Sequence, residues 1–177
     1  MNNGSTTRFV TRSVDETRAL AGAIASLVRP SDVLLLIGEL GAGKTTFTKG
    51  LVESLGRDIF VTSPTFTLCH RYETKPPVAH VDCFRIGKDD DLADLALDEL
   101  IDEGCVLVIE WGERAEALVG DALVLTFVAN DDETRAIEID ASGPQWANRA
   151  DDLLGLSRVI GIESVTSRHA SSGEGRP

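Results

Sequence analysis

The chain has 177 residues, of which 42% are hydrophobic and 26% charged, a composition typical of a soluble globular protein with one domain and a proper core. The net charge of −12 argues against strong binding of nucleic acid by this chain alone, because phosphate contacts supply most of that affinity. No apolar run approaches the ~20 residues of a membrane span, and residues 1–7 lack the pattern of a secretory signal, so we expect a cytoplasmic protein without a membrane partner.

The first third of the chain predicts a helix, a strand and a second helix. Ser13 and Glu16 have the spacing of a capping box that opens a helix, and Pro30 is expected to end it. The apolar run at residues 33–37 predicts a buried strand. The second helix is predicted to run from Lys44 to Gly56, where glycine stops it.

A phosphate-binding loop is predicted between that strand and the second helix, because Gly38-Glu39-Leu40-Gly41-Ala42-Gly43-Lys44-Thr45 fits the pattern G-x-x-x-x-G-K-[ST]. Glycines let the backbone curl so that its N–H groups face a phosphate, and the helix N-terminus adds partial positive charge. Lys44 is expected to reach the β- and γ-phosphates, and the hydroxyl of Thr45 to bind Mg²⁺. We therefore expect this loop, from Glu39 to Thr46, to bind ATP.

The middle of the chain is expected to add three short strands and an acidic helix before the next buried strand. The strands are predicted at residues 59–62, 67–72 and 78–84, with a turn around Pro76-Pro77 between the last two. Residues 88–104 predict a helix with a solvated acidic face. The run at 106–110, four apolar residues and an acid, is typical of a central parallel strand that is buried on both faces.

The last third predicts smaller elements and a disordered end. A short helix is expected at residues 112–119, a hairpin from 122–128 and 134–139, and a last helix at 147–156. After Ser157 the chain turns to Ser, Gly, Arg and Glu. The sequence thus predicts one domain over residues 1–157 and a disordered tail over 158–177.

Two acids are candidates for chemistry beside the loop. Glu110 ends the buried strand, where an acid can hold Mg²⁺ or orient the attacking water. Asp82 shares one strand face with His80 and Phe84. It could bind a metal-bound water or polarise a nucleophile, or it could form a structural ion pair with Arg85. We predict catalytic roles for Lys44 and Glu110, whereas the functional and the structural reading of Asp82 both stay open.

Further polar and aromatic side chains allow two readings each. The hydroxyls of Ser63, Thr65 and Thr67 could close over the γ-phosphate as a switch or form a polar turn. Trp111 could stack on a base or a partner, or close the core. His80 and His70 are interpreted as packed, hydrogen-bonded strand residues. The three cysteines, at positions 69, 83 and 105, form no C-x-x-C, which argues against a disulfide framework or a zinc site.

Four blocks taken together resemble the TsaE family, the bacterial ATPases of tRNA threonylcarbamoyladenosine synthesis. These blocks are residues 38–47, 63–68, 80–85 and 110–111, and their order and spacing match from about residue 11 to residue 140. Two departures are visible. Phe84 stands where the family commonly has tyrosine, and Gly112-Glu113-Arg114 stands where proline or alanine usually follows the tryptophan.

The resemblance implies a single α/β P-loop NTPase domain, with a central, mostly parallel sheet flanked by helices and an antiparallel part. It implies weak ATP hydrolysis, with Thr45 and Glu110 as the Mg²⁺ pair. Asp82 would join Lys44 and Glu110 in catalysis, and the choice of water-orienting acid between Asp82 and Glu110 stays open. The segment from Thr11 to Thr17 would contact adenine, and Ser63, Thr65 and Trp111 would serve as switch or partner elements. The implied partners are TsaD and TsaB, which transfer threonylcarbamoyl to the adenosine next to the anticodon in tRNAs that read ANN codons. The chain would meet tRNA only indirectly.

Three other functions share the loop. A small-molecule kinase usually has a lid with clustered arginines, whereas the candidate arginines here are scattered through the sequence: Arg57, Arg71, Arg85 and Arg114. A GTPase would carry Asn-Lys-x-Asp, which is absent. A scaffold that binds ATP without hydrolysing it would keep its function after loss of Lys44 or Glu110.

Overall fold

One eight-stranded sheet organises the molecule, seen here in a computed structural model that describes residues 5–56, 58–64, 67–86, 95–130 and 134–168. The strand order is β3-β4-β5-β2-β6-β7-β1-β8. The strands are β1 Ser5–Thr11, β2 Val33–Gly38, β3 Cys69–Tyr72, β4 Val78–Asp82, β5 Val106–Glu110, β6 Leu123–Ala129, β7 Arg135–Asp140 and β8 Glu163–Arg168. The four central strands β4, β5, β2 and β6 are parallel, and the flanking strands pair antiparallel. This confirms the predicted α/β fold.

Helices cover both faces of the sheet. They are α1 Val14–Ala25, α2 Lys44–Leu55, α3 Leu97–Asp102, α4 Glu116–Val119, α5 Pro144–Ala147 and α6 Ala150–Ile160, with a 3₁₀ turn at Gly112–Arg114. Successive residues of β2 point to opposite faces. Leu34 and Leu36 pack in the core beneath α1, α2 and α6, whereas Leu35 packs in the core beneath α3 and α4. Within the described ranges no helix has the length and apolar character needed to cross a membrane.

Several predicted boundaries are confirmed and others are wrong. The Ser13 hydroxyl accepts a hydrogen bond from the Glu16 amide at 3.0 Å and caps α1, but α1 ends at Ala25, well before Pro30. The strand predicted at residues 59–62 does not form, since these residues pair with no strand of the sheet; the carbonyl of Thr62 accepts instead from the hydroxyl of Tyr72. Of the helix predicted at 88–104, the structure contains α3, and residues 88–94 lie outside the described residues.

Both ends of the chain add strands that the sequence did not predict. In β1 the inward side chains of Thr7 and Thr11 alternate with Phe9, so the strand lacks an apolar pattern. The disordered tail predicted from residue 158 is wrong for residues 158–168. These residues complete α6 and form β8, which pairs antiparallel with β1 and brings Ile162 into the core. Residues 169–177 lie outside the described part.

Candidate functional site

Glycines shape the loop between β2 and α2 as its motif requires. Gly38 has φ 148°, and a Cβ at this position would lie 2.5 Å from the carbonyl oxygen of Phe127. Gly43 has φ 111° and immediately precedes the first turn of α2. Side chains at these two positions would be strained by the backbone, and at Gly38 also by the close approach of β6. The loop therefore presents backbone and the α2 N-terminus to the space above the sheet.

Lys44 lies almost fully buried against this loop. Its Nζ donates to the carbonyl oxygens of Gly38 and Glu39, the latter at 3.0 Å, and sits 3.9 Å from the centre of the Trp111 ring. Burial lowers the pKa of Lys44 from its usual 10.5, and nearby carboxylates, Glu110 foremost, oppose that shift of the pKa. The ammonium group thus has little water around it, and a phosphate would be a strong partner for it.

Glu110 lies at the end of β5 and is held from two sides. Thr45 Oγ1 donates to Glu110 Oε2 at 2.9 Å, and His80 Nε2 lies 2.9 Å from Glu110 Oε1. Glu110 is 4% exposed and His80 is fully buried. The N-terminus of α2 and the carboxyl ends of β4 and β5 therefore meet at this carboxylate.

Asp82 ends the neighbouring strand, directly opposite Glu110 in the β4–β5 register. Its Oδ1 accepts from the Phe84 amide at 3.0 Å, and its Oδ2 accepts from the Ser63 hydroxyl at 3.3 Å. The contact with Ser63 connects Asp82 to the segment for which the sequence allows either a switch or a polar turn. Two carboxylates thus lie side by side at the mouth of the phosphate loop, both nearly buried.

Trp111 links the lysine to the turn that follows Asp82. It adopts φ 60°, a left-handed conformation that bulky side chains seldom take. Its ring packs against the Phe84 ring, with 5.0 Å between ring centres, and it also contacts Lys44 Nζ. Backbone strain of this kind is common where a side chain must be aimed at a functional site.

Arg114 fixes the turn that carries Phe84. Its Nη1 donates to the carbonyl oxygens of Cys83 at 3.1 Å, of Phe84 at 3.3 Å and of Ile86. A single guanidinium thus satisfies three backbone acceptors. The segment 83–86 is therefore held in place from the 3₁₀ turn behind Trp111.

A cavity of about 270 Å³ opens between these parts. Its lining residues come from the phosphate loop, the two acidic strand ends and the segment before β3. They are Leu40, Gly41, Ala42, Gly43, Lys44, Thr45, Thr46, Ser63, Asp82, Phe84, Glu110 and Trp111. The structure therefore brings together most of the site residues that the sequence predicts.

Two predicted residues, Glu39 and Thr11, are not among the residues that line this cavity. Glu39 is exposed and contributes its carbonyl oxygen to Lys44 rather than its side chain to the lining. Thr11 is fully buried and shares a hydrogen bond of 2.9 Å with Thr17, so its hydroxyl is turned into the protein. Its place at the carboxyl end of β1 still puts the segment that follows at the same sheet edge as the loop. Thr65 lies outside the described residues.

Three residues of the site were not assigned to it by the sequence. His80 was interpreted as a packed strand residue, Phe84 was noted as a departure from a family pattern, and Arg114 was counted among scattered arginines. Their contacts reach across 27 to 31 positions of the chain, from His80 to Glu110, from Phe84 to Trp111 and from Arg114 to Cys83. Two signals were available in the sequence: the alternation that places His80 on the face of Asp82, and the family block at residues 80–85.

The pair of Thr45 and Glu110 fits a divalent cation. Two oxygens at neighbouring corners of an octahedron, each about 2.0–2.1 Å from Mg²⁺, lie about 2.9 Å apart, which is the distance between Thr45 Oγ1 and Glu110 Oε2. Among the residues that the structure describes, no three His, Cys, Asp or Glu side chains form a metal cluster. Oxygens of a bound phosphate and water would therefore have to complete the shell, as is usual for Mg²⁺.

Comparisons with known proteins agree on one family. The family model "Threonylcarbamoyl adenosine biosynthesis protein TsaE" matches residues 11–137. A protein of this name from Streptomyces coelicolor is 42% identical over 139 residues, which cover 73% of this chain and 93% of that protein. Its namesake from Bacillus subtilis is 38% identical over 148 residues, covering 82% and 92%.

A solved structure also matches the fold. The crystal structure of YdiB from Bacillus subtilis superposes with a TM-score of 0.73 at 32% sequence identity, over 84% of this chain and 94% of that one. The family model covers the phosphate loop, both acidic strand ends and Trp111, so the match includes the whole cavity. The chain belongs to the TsaE family.

Proposed function

We propose that this chain is a magnesium-dependent ATPase that supports the threonylcarbamoyl modification of tRNA without forming the modification bond itself. The observation that carries the proposal is the contact between Thr45 Oγ1 and Glu110 Oε2 at the mouth of a glycine loop that fits phosphate. A nucleotide-binding scaffold needs the loop and the lysine. A buried carboxylate aimed at the same spot is the further group that hydrolysis uses.

Electrostatics favour a cation between the nucleotide and the acids. Asp82 and Glu110 are both 4% exposed and lie beside the loop. Two like unit charges about 5 Å apart repel by about 3 kcal/mol at an effective dielectric constant of about 20, so a triphosphate beside both carboxylates is disfavoured without compensation. Mg²⁺ held by Thr45 and Glu110 would neutralise charge on the β- and γ-phosphates and so favour their cleavage.

The chain's own groups supply the remaining stabilisation. Lys44 Nζ lies within reach of the cavity and, because it is poorly hydrated, its attraction to developing negative charge is little screened. The backbone N–H groups at the start of α2 add fixed partial positive charge. Asp82 or Glu110 orients the attacking water, and the two remain alternatives because both border the cavity.

The segment at Ser63 would allow ATP hydrolysis to change the affinity for partner proteins. Ser63 donates to Asp82 Oδ2, so a change at Asp82 alters what holds this segment. Loss of the γ-phosphate would then release Ser63, and the affinity for partner proteins would change. The proposed partners are homologues of TsaD and TsaB, and the net charge of −12 supports an indirect rather than direct relation to tRNA.

Calorimetry with ADP and a non-hydrolysable ATP analogue, together with an assay of phosphate release from ATP, tests the nucleotide site. We expect uptake of ADP and of a non-hydrolysable ATP analogue that requires Mg²⁺, and phosphate release that is lost in Lys44→Ala and in Glu110→Gln. Lys49→Ala and Glu116→Gln make the same changes of charge outside the cavity lining and serve as matched controls. Wild-type protein that takes up no adenine nucleotide with Mg²⁺ would refute the proposal, and label moving from ATP to a small molecule would replace it with a kinase.

A pull-down tests the place in tRNA modification. Purified homologues of TsaD and TsaB are offered with the ATP analogue, with ADP or with no nucleotide. We expect retention to depend on the nucleotide, and cells that carry Lys44→Ala to lack the modified adenosine. Binding that is negligible under every condition, together with normal modification in those cells, would show that this ATPase does not act in the threonylcarbamoyl modification of tRNA.

A further inference from the structure

Each carboxylate oxygen of Glu110 has a hydrogen-bond partner. Oε2 accepts from Thr45 Oγ1, and Oε1 lies 2.9 Å from His80 Nε2. A carboxylate oxygen accepts hydrogen bonds and has none to donate. His80 Nε2 must therefore carry a proton and donate it to Oε1, which fixes one ring nitrogen of His80.

The other ring nitrogen of His80, Nδ1, is buried and lacks a hydrogen bond within the described part of the chain. His80 itself is fully buried. The opposite tautomer would set two acceptors against each other at Nε2 and leave a buried N–H unpaired at Nδ1, so it is disfavoured twice. An apolar side chain at this position would leave no unpaired nitrogen, and the strand around it is apolar: Val78, Ala79 and Val81 are fully buried. An apolar side chain would therefore suit the stability of the strand better than histidine does. What histidine adds is the contact with Glu110.

The framework that joins the two residues is rigid. His80 pairs with Val108 and Asp82 pairs with Glu110 in the parallel ladder of β4 and β5. Side chains two positions apart on a strand share one face, so His80 reaches diagonally to Glu110 across neighbouring central strands. A ring placed in this way holds a partner more accurately than a loop residue would.

We propose that His80 is the positioning residue for the metal-binding carboxylate of Glu110. It occupies Oε1, so Glu110 offers the single oxygen Oε2 beside Thr45, and the carboxylate neither rotates nor turns toward Lys44. This inference rests on the proposed function, because it assigns a role toward the Mg²⁺ of that site. Partners of this kind, which orient a metal ligand without touching the metal, commonly raise metal affinity about 10–100-fold.

Three variants separate positioning from packing. His80→Gln places an amide N–H near the position of Nε2 and can still donate to Glu110. His80→Asn is equally polar, but its shorter side chain places the amide near Nδ1 and cannot reach. His80→Leu removes the donor while it keeps a buried apolar side chain, and it carries the test if the asparagine variant does not fold.

The measurement is binding of ADP by calorimetry over a series of MgCl₂ concentrations and in EDTA. For His80→Asn and His80→Leu we expect the Mg²⁺ concentration for half-maximal enhancement of ADP binding to rise at least about tenfold. Their affinity for ADP in EDTA should stay within about twofold of wild type, and His80→Gln should recover most of the Mg²⁺ response. A purely structural role would weaken ADP binding with and without Mg²⁺ and would make the glutamine and asparagine variants alike.

The tautomer offers a second readout that needs no nucleotide. Long-range ¹H–¹⁵N correlation spectra of the nucleotide-free protein should show His80 protonated at Nε2 and unprotonated at Nδ1. The opposite tautomer overturns the inference, and so does an unchanged Mg²⁺ response in His80→Asn. Wild-type protein that takes up no nucleotide with Mg²⁺ would instead overturn the proposed function, so the two failures can be told apart.

Discussion

Removal of Arg149 should destabilise the protein far more than removal of an arginine from a surface pair. Arg149 Nη1 and Nη2 donate to the two oxygens of Asp32 at 2.6 and 2.7 Å, and the side chains are 3% and 1% exposed. The guanidinium also donates to the carbonyl oxygen of Leu27 at 2.9 Å and lies 3.7 Å from the centre of the Trp146 ring. Arg149→Met would leave the carboxylate of Asp32 buried without its cation.

The expected loss follows from that burial. Breaking a buried ion pair from one side costs about 3–5 kcal/mol of unfolding free energy. For a domain of this size about 2–4 °C of melting temperature corresponds to 1 kcal/mol, so the midpoint should fall by roughly 6–20 °C. The matched control is Arg12→Met, because Arg12 contacts Glu163 at 2.8 Å while the side chains are 55% and 63% exposed. That variant should lose less than about 1 kcal/mol.

Urea unfolding of the single and double variants tests the reasoning. Asp32→Leu combined with Arg149→Met removes both charges, so it should be more stable than the sum of the single losses predicts. We expect a coupling energy near the upper end of the range of about 0.5–3 kcal/mol that is found for contacting residues. Additive losses within about 0.5 kcal/mol, or equal losses for Arg149→Met and Arg12→Met, would show that the buried pair has no special weight.

Three further predictions concern pH, thiol chemistry and the last strand. The pKa of Lys44 is lower in the folded chain than its unfolded value of 10.5. The free energy of unfolding of wild type should therefore rise relative to that of Lys44→Met as the pH increases from the lowered pKa to 10.5. Urea unfolding at several pH values checks this, and a difference in unfolding free energy that is independent of pH refutes it. Burial raises the pKa of Cys83 to about 12, so iodoacetamide at pH 8 should alkylate Cys83 in unfolded protein alone, and mass spectrometry of native protein with labelled Cys83 would contradict this. Truncation after Ile160 removes β8 and the buried side chain of Ile162, which should cost at least about 1.5–3 kcal/mol, and an unchanged melting temperature would count against the role of β8.

Local patterns predicted the centre of the molecule well. The phosphate loop and the buried run that ends at Glu110 each need fewer than ten consecutive residues, and the structure places both at one edge of the sheet. The hairpin of β6 and β7 was likewise visible from turn residues between two alternating runs. Motif, strand and helix agree at these places, so sequence was sufficient.

The sheet edges and the pairings across strands were not predictable in the same way. β1 is built on buried threonines, and β8 follows a segment whose composition is typical of a tail. Each is stabilised as a strand by a neighbour more than a hundred positions away, which no local window contains. The contact between His80 and Glu110 is of the same kind, since it depends on the register of β4 against β5.

Two consecutive residues, Glu110 and Trp111, each place a side chain in the site. The first carries the carboxylate that Thr45 and His80 hold, and the second carries the indole ring that rests against Lys44. Since these residues are consecutive and the second has a strained φ of 60°, a small displacement at the end of β5 moves anion and ring together. The carboxylate of Glu110 and the ammonium group of Lys44 therefore cannot be repositioned independently. Any motion that misplaces one of them would disturb the contacts of both.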